Sequence, residues 1–124
     1  MHSWWKMEIF ESEEHLVEQL NIHENLLAEC ANGSVDFSSF IKHYNNFYYY
    51  FALDGHESDP EELVLLEKYE NRIELHKRAT LEILNNVCSD EYANDPEYLK
   101  SGRFGSKTAV EKLNKLVSQH KEHA

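Results

Sequence analysis

The sequence predicts an all-α fold: an antiparallel bundle of four main helices with an extra short helix and an aromatic N-terminal arm. Three observations carry this expectation. Gly and Pro are scarce, four and two in 124 residues, whereas all-β folds spend such residues on their many turns. Apolar residues recur at three- and four-residue spacing along most of the chain, the period of a helix with one buried face. Good cap residues stand where the periodic runs begin. The length fits a single domain, residues 1–124, large enough to bury a core.

The elements follow in order. Residues 1–11 hold Trp4, Trp5, Met7, Ile9 and Phe10 without helical spacing and are expected to lie across the bundle as an arm. A first helix is expected over 12–32. Ser12 caps it, Glu13 and Glu14 suit the positive end of its dipole, and Leu16, Leu20, His23, Leu27 and Cys30 form a buried stripe. Asn32-Gly33 stops it. A second helix is expected over 36–53, capped by Ser34 or Asp36 and ended by Asp54-Gly55. Its Phe37, Phe40, Ile41, Tyr44, Phe47, Tyr48 and Phe51 fall within an arc of roughly 120° at about 100° per residue.

A third helix is expected over 59–88. Ser58 or Asp59 caps it, Pro60 takes the first helical position, and Glu61 and Glu62 follow. Its stripe is Leu63, Leu66, Tyr69, Ile73, His76, Thr80, Ile83, Leu84 and Val87. So long a run predicts a kink or break. Residues 89–105 read as a connector with a one-turn helix from Asp95-Pro96 through Leu99, closed by Gly102. The last helix, about 107–121, buries Ala109, Val110, Leu113, Leu116 and Val117 and turns Lys112, Lys115 and Lys121 outward.

Charge is distributed unevenly. Residues 1–62 hold 13 of the 23 carboxylates and only two cations, Lys6 and Lys42, so this half carries the net charge of −11, while residues 63–124 balance. An acidic surface of this kind is built to meet something basic. It argues against binding a nucleic-acid backbone or an anionic membrane, both of which call for Lys and Arg on one face. Met1-His2-Ser3-Trp4-Trp5-Lys6 has no cationic start followed by a sustained apolar run, and no stretch is apolar enough to span a bilayer, so the expected compartment is the cytoplasm. Cys30 and Cys88 are then expected to be reduced thiols packed as small hydrophobes.

The densest functional signal is the corner Asp54-Gly55-His56-Glu57-Ser58-Asp59-Pro60-Glu61-Glu62. Helix ends explain part of it. Capping requires neither His56 nor Glu57, so a negative patch for a basic partner is the functional reading, with Asp54, Asp59, Glu61 and Glu62 contributing. Tyr49 and Tyr50 sit on the flanks of the aromatic helix, and at least one is expected to reach solvent as a binding anchor.

Other chemistry finds little support. His-Glu-x-x-His and the calcium-loop pattern are absent, and paired inward Glu-x-x-His motifs are not found, so no metal is assigned. His23 and His76 lie in apolar stripes, where a buried imidazole with one hydrogen-bond partner is expected. There is no Gly-x-Ser-x-Gly elbow and no phosphate-binding Gly loop. No catalytic residue, cofactor or enzymatic activity is therefore assigned. A His/carboxylate metal-dependent hydrolase using His56, and a helical regulatory or adaptor protein that homodimerises through its aromatic arm, remain the alternatives. Whether the protein is a monomer or a homodimer stays open.

The segment Asn32-Gly33-Ser34-Val35-Asp36-Phe37-Ser38-Ser39-Phe40-Ile41-Lys42-His43-Tyr44 resembles the opening of helical bacterial immunity proteins of the colicin D immunity and contact-dependent growth inhibition type. In those a helix is followed by Gly, a short polar step, and a second helix with spaced aromatics. The resemblance covers roughly the first half of the chain. It implies a small acidic cytoplasmic protein that neutralises a cognate toxin, a nuclease above all, by covering the site used for nucleic acid.

Overall fold

The computed structural model describes residue 10 and residues 12–55 and 58–123, and among these the fold is all-α with no strand. Helix α1 spans Glu13–Ala31, with the Ser12 side chain accepting from the His15 N–H at its start. All five residues of its expected stripe, Leu16, Leu20, His23, Leu27 and Cys30, are buried. At its end Gly33 takes φ +84°. That lets the Gly33 and Ser34 N–H groups turn back onto the Cys30 and Glu29 carbonyls. Such a left-handed turn costs glycine nothing and most residues about 1–2 kcal/mol.

The expected second helix is two. Helix α2 spans Phe37–Tyr44, capped by Asp36, and α3 spans Phe47–Tyr50. Between them Asn45 and Asn46 both take left-handed backbone, φ 47° and 52°. Asn tolerates that region far better than branched residues do, and two in succession redirect the chain. The redirection lets Tyr44, Phe47, Tyr48, Phe51, Ala52 and Leu53 all be buried, which one straight amphipathic helix does not allow. It also moves Ile41 off the core face, where it is 43% exposed, and leaves Phe37 half-buried. The turn that ends α3 comes earlier than Asp54-Gly55. Ala52, at φ 51°, directs its own N–H to Tyr49 O while the Leu53 N–H reaches Tyr48 O.

The long third run is bent, as its length predicted. Helix α4 spans Pro60–Lys68 and α5 spans Glu70–Arg78, meeting at Tyr69. Hydrogen bonds Tyr69 N to Leu65 O and Ile73 N to Tyr69 O carry the ladder across, so the junction is a kink. Beyond α5 the backbone widens into a π-helical turn, Ala79–Ile83, then tightens into a 3₁₀ turn, Leu84–Asn86. The Asn86 amide donates to the Leu81 and Glu82 carbonyls left over at this end. The stripe is buried at Leu66, Ile73, His76, Thr80 and Ile83, whereas Leu63 is 47% exposed.

The connector closes on itself. Cys88 N donates to Phe104 O and Phe104 N to Asn86 O, and between them Asp95 caps α6, Pro96–Lys100. Helix α7, Ser106–His123, follows, with Ala109, Leu113 and Leu116 buried. Its cap comes from a distance. Gly105 has no side chain to offer, and Asp90 instead accepts from the Ser106 N–H and Oγ, at 2.7 and 2.8 Å. A Cβ at Gly105 would lie 2.9 Å from both Ala93 Cβ and Asp90 Oδ1, so the close approach depends on glycine.

The core collects Leu16, Leu20 and Leu27 of α1, the aromatics of α2 and α3, Ile73 and Ala79 on the bent run, and Leu113 of α7. Helix α7 packs along α1 more extensively than any other pair of elements does. Two polar clamps tie α1 to the bent run. Arg72 makes a two-pronged contact with Glu24, Nε to Oε2 at 2.7 Å and Nη2 to Oε1 at 2.8 Å, and Nη2 also donates to Asn21. Glu13 accepts from Lys68 Nζ at 2.6 Å and from the Tyr69 hydroxyl. No helix among the described residues is long and apolar enough to cross a membrane. Of the aromatic arm, Phe10 is buried, while Trp4, Trp5, Met7 and Ile9 lie outside the described residues.

Candidate functional site

The corner between α3 and α4 divides into structural and outward-facing carboxylates. Asp59 Oδ1 accepts from the Glu62 N–H, and Glu62 Oε1 accepts from the Asp59 N–H, both at 2.9 Å. This reciprocal box satisfies two N–H groups at the start of α4. Asp59 and Glu62 therefore have a stabilising task whatever else they touch. Glu61 is exposed and forms no ion pair among the described residues. Asp54 is exposed on the same corner. His56 and Glu57 lie outside the described residues. Tyr49 is half-buried with its ring edge against Tyr48, and Tyr50 reaches solvent at 37% exposure.

Beside the corner, α3, α4 and α5 frame a groove of about 410 Å³. Its floor is apolar and well packed: Tyr48, Leu53, Leu66 and Ile73 are each 9% exposed or less. Among the described residues its rim carries Asp54, Glu67, Glu70 and Glu74 against a single cation, Lys77. Glu67, Glu70 and Glu74 are exposed and form no ion pair among the described residues. Sequence reading assigned these three to the balanced half of the chain and passed over them. Their spacing was the available signal, because positions 67, 70 and 74 share a helix face across the Tyr69 kink. Meanwhile Glu13 and Glu24, counted in the acidic half, are paired with Lys68 and Arg72. Folding thus compensates two carboxylates of the acidic half and leaves Glu67, Glu70 and Glu74 of the balanced half without an ion pair among the described residues.

Tyr48 gives the groove a polar handle. Its ring is buried, and its hydroxyl, open to water, makes no hydrogen bond to a described residue. Burial raises its pKa, and the charges of Asp54, Tyr49 and Glu74 raise it further. The hydroxyl therefore stays protonated in a negative local field. A second, broader groove runs along the outer face of α1 and is lined by Glu13, Glu14, Glu18, Val17, Ile22 and Tyr69, among others. Its floor is the solvent face of one helix rather than the packed core.

The histidines of the apolar stripes form a sealed polar cluster. His23 Nδ1 lies 2.7 Å from Gln19 O, and its ring stacks on Phe47 at 3.8 Å. His76 is fully buried with Nδ1 at 2.5 Å from the Tyr44 hydroxyl. Burial holds the His23 pKa below the usual imidazole range and pushes that of His76 down to about 3. Both rings are neutral at pH 7. His76 Nε2 and Thr80 Oγ1, one helical turn apart, have no hydrogen-bond partner. A solute in the surrounding water does not touch this cluster. Cys30 is a buried free thiol whose pKa burial and then Asp36 raise to about 11, which makes it inert as a nucleophile. Cys88 is a half-buried free thiol. Among the described residues no three His, Cys, Asp or Glu side chains gather as a metal site.

No protein-family model, curated protein or solved structure matches this chain.

Proposed function

We propose that this protein is a small acidic binding protein of the bacterial cytoplasm that neutralises a basic toxin, a nuclease domain foremost, by occluding its active-site cleft. One observation carries the reading: an apolar groove at the α3–α4–α5 corner is bordered by the exposed carboxylates Glu67, Glu70 and Glu74, which form no ion pair among the described residues. A cleft that binds phosphates is lined with Lys and Arg. A surface presenting carboxylates attracts such a cleft over a distance set by ionic strength and competes there with nucleic acid. The apolar floor and the exposed Tyr50 supply desolvated contact, which charge alone does not. The resemblance of residues 32–44 to colicin D-type immunity proteins points the same way.

The scaffold is read as an antiparallel bundle of four main helical units: α1, α2 with α3, α4 with α5, and α7. Such a bundle packs Tyr48, Leu53, Leu66 and Ile73 into the groove floor, so little side-chain ordering is lost there on binding.

The test is a tagged pull-down from the native host at low and high salt, followed by co-expression. The expected result is one basic, salt-sensitive partner whose toxicity to the cell is suppressed when this protein is made alongside it. A partner whose toxicity is unaffected, or no partner at either salt, overturns the reading.

A further inference from the structure

We propose that the corner groove is a seat for one arginine side chain of the basic partner, its methylene stem lying over Leu53, Leu66 and Ile73 and its guanidinium held by Glu70, Glu74 and the Tyr48 hydroxyl. The inference rests on the binding-protein reading above and narrows it to one side chain.

Tyr48 is 6% exposed, and its hydroxyl, open to water, makes no hydrogen bond to a described residue where the side chain lines the groove. A ligand entering the groove takes the place of water at that group. Here the phenol oxygen offers acceptor lone pairs to a donor arriving from outside. The neighbouring carboxylates are also acceptors, so the complementary ligand is rich in donors and positively charged. The floor beneath them is apolar, so the ligand also carries a hydrocarbon stem.

Arginine meets all three demands. Its planar head directs five N–H donors to several acceptors at once, and it sheds its weak hydration more readily than an ammonium does. The negative field that raises the Tyr48 pKa is the field that stabilises a guanidinium in the same place. Lysine would reach the same spot as a point charge and leave acceptors unfilled.

The experiment titrates the intact protein with N-acetyl-arginine N-methylamide and follows the methyl and ring signals by NMR. The expected result is a saturable shift at Leu53, Leu66, Ile73 and the Tyr48 ring. The lysine analogue binds more weakly, and the uncharged citrulline analogue gives no saturable shift. Glu70→Gln with Glu74→Gln weakens the arginine probe about tenfold or more, since each lost contact is a charged hydrogen bond. Tyr48→Phe weakens it less and leaves the lysine probe nearly unchanged. Both variants are checked for an unaltered thermal midpoint. Absence of a saturable shift at the groove, or a shift unchanged in the Glu70/Glu74 variant, overturns the proposal.

The two readings fail separately. A neutralised toxin partner whose affinity survives Glu70→Gln with Glu74→Gln removes the arginine seat and leaves the function. A probe that binds as described, with no basic partner in the cell, removes the function and leaves the seat.

Discussion

The Tyr44 hydroxyl and His76 Nδ1 meet at 2.5 Å across 32 residues of sequence, inside a cage of Phe40, Phe47 and His23 rings. The arrangement that uses the phenol hydrogen has Tyr44 donating to Nδ1, which places the imidazole proton on Nε2. That second nitrogen has no partner, and neither has Thr80 Oγ1. The pair is therefore half satisfied, and substitutions on its two sides act in opposite directions.

Tyr44→Phe leaves both nitrogens of His76 unpaired in the core. The expected loss is about 1–3 kcal/mol, the usual cost of orphaning a buried polar group, read from urea denaturation midpoints. Thr80→Val keeps the shape and removes an unpaired hydroxyl, so it is expected to raise stability by roughly 1 kcal/mol. A stabilised Tyr44→Phe or a destabilised Thr80→Val would show that the contact is not as described.

His76 also makes stability depend on pH. Its folded pKa of about 3 lies below the ordinary 6.5 of the unfolded chain. The unfolded state therefore takes up the proton first. The stability contributed by the neutral buried ring is complete above pH 6.5 and is lost progressively as pH falls toward 3. The lowered pKa of His23 acts in the same direction. Denaturation midpoints measured between pH 7.5 and 4 should fall less steeply in His76→Gln than in the parent protein. Equal slopes would contradict a neutral, buried His76.

Arg72 and Glu24 join α5 to α1 through two parallel contacts, with side chains 30% and 28% exposed. A double-mutant cycle of Arg72→Ala and Glu24→Ala is expected to give a coupling of about 1 kcal/mol, above the median for exposed pairs. Arg72→Lys, which cannot form the fork, should retain less than half of it. A coupling indistinguishable from zero would mean that the contact contributes geometry alone.

Charge reversal at Glu61 and Glu70 tests the proposed steering. Neither residue belongs to the Asp59–Glu62 capping box, so Glu61→Lys with Glu70→Lys leaves the start of α4 intact. The expected outcome is association with the basic partner slowed about tenfold at low salt, with a flatter salt dependence and a smaller change in dissociation. Asp59→Lys confounds this measurement because it also removes the cap.

The periodic stripes were legible in the sequence because helix burial follows a fixed angle per residue. Leu16 to Cys30 came out in full, and the start of α4 was legible from Pro60-Glu61-Glu62, with the structure choosing Asp59 over Ser58 as its cap. What was missed depended on events between elements. Asn45-Asn46 holds no residue that forbids a helix, and the pair goes left-handed where the fold buries Leu53, which a straight helix would set opposite Tyr44, together with Tyr44, Phe47, Tyr48 and Phe51. The cap of α7 was invisible because Asp90 lies 16 residues from Ser106. The groove rim escaped for a similar reason. Counting charge along the chain assigned Glu67, Glu70 and Glu74 to a neutral half, while in space their cations Lys68 and Arg72 turn away toward α1.

The packing of α1 against α7 has a consequence for biosynthesis. The two helices meet last in time although they lie side by side in space. As the chain leaves the ribosome, the Leu16–Cys30 stripe meets the aromatics of α2 and α3 early, His23 stacking on Phe47, but its α7 side waits until Ala109, Leu113 and Leu116 have followed. During that interval the nascent chain shows part of an apolar helix face to chaperones and proteases. A chain terminated within the connector lacks the α7 cover and is expected to be cleared by proteolysis.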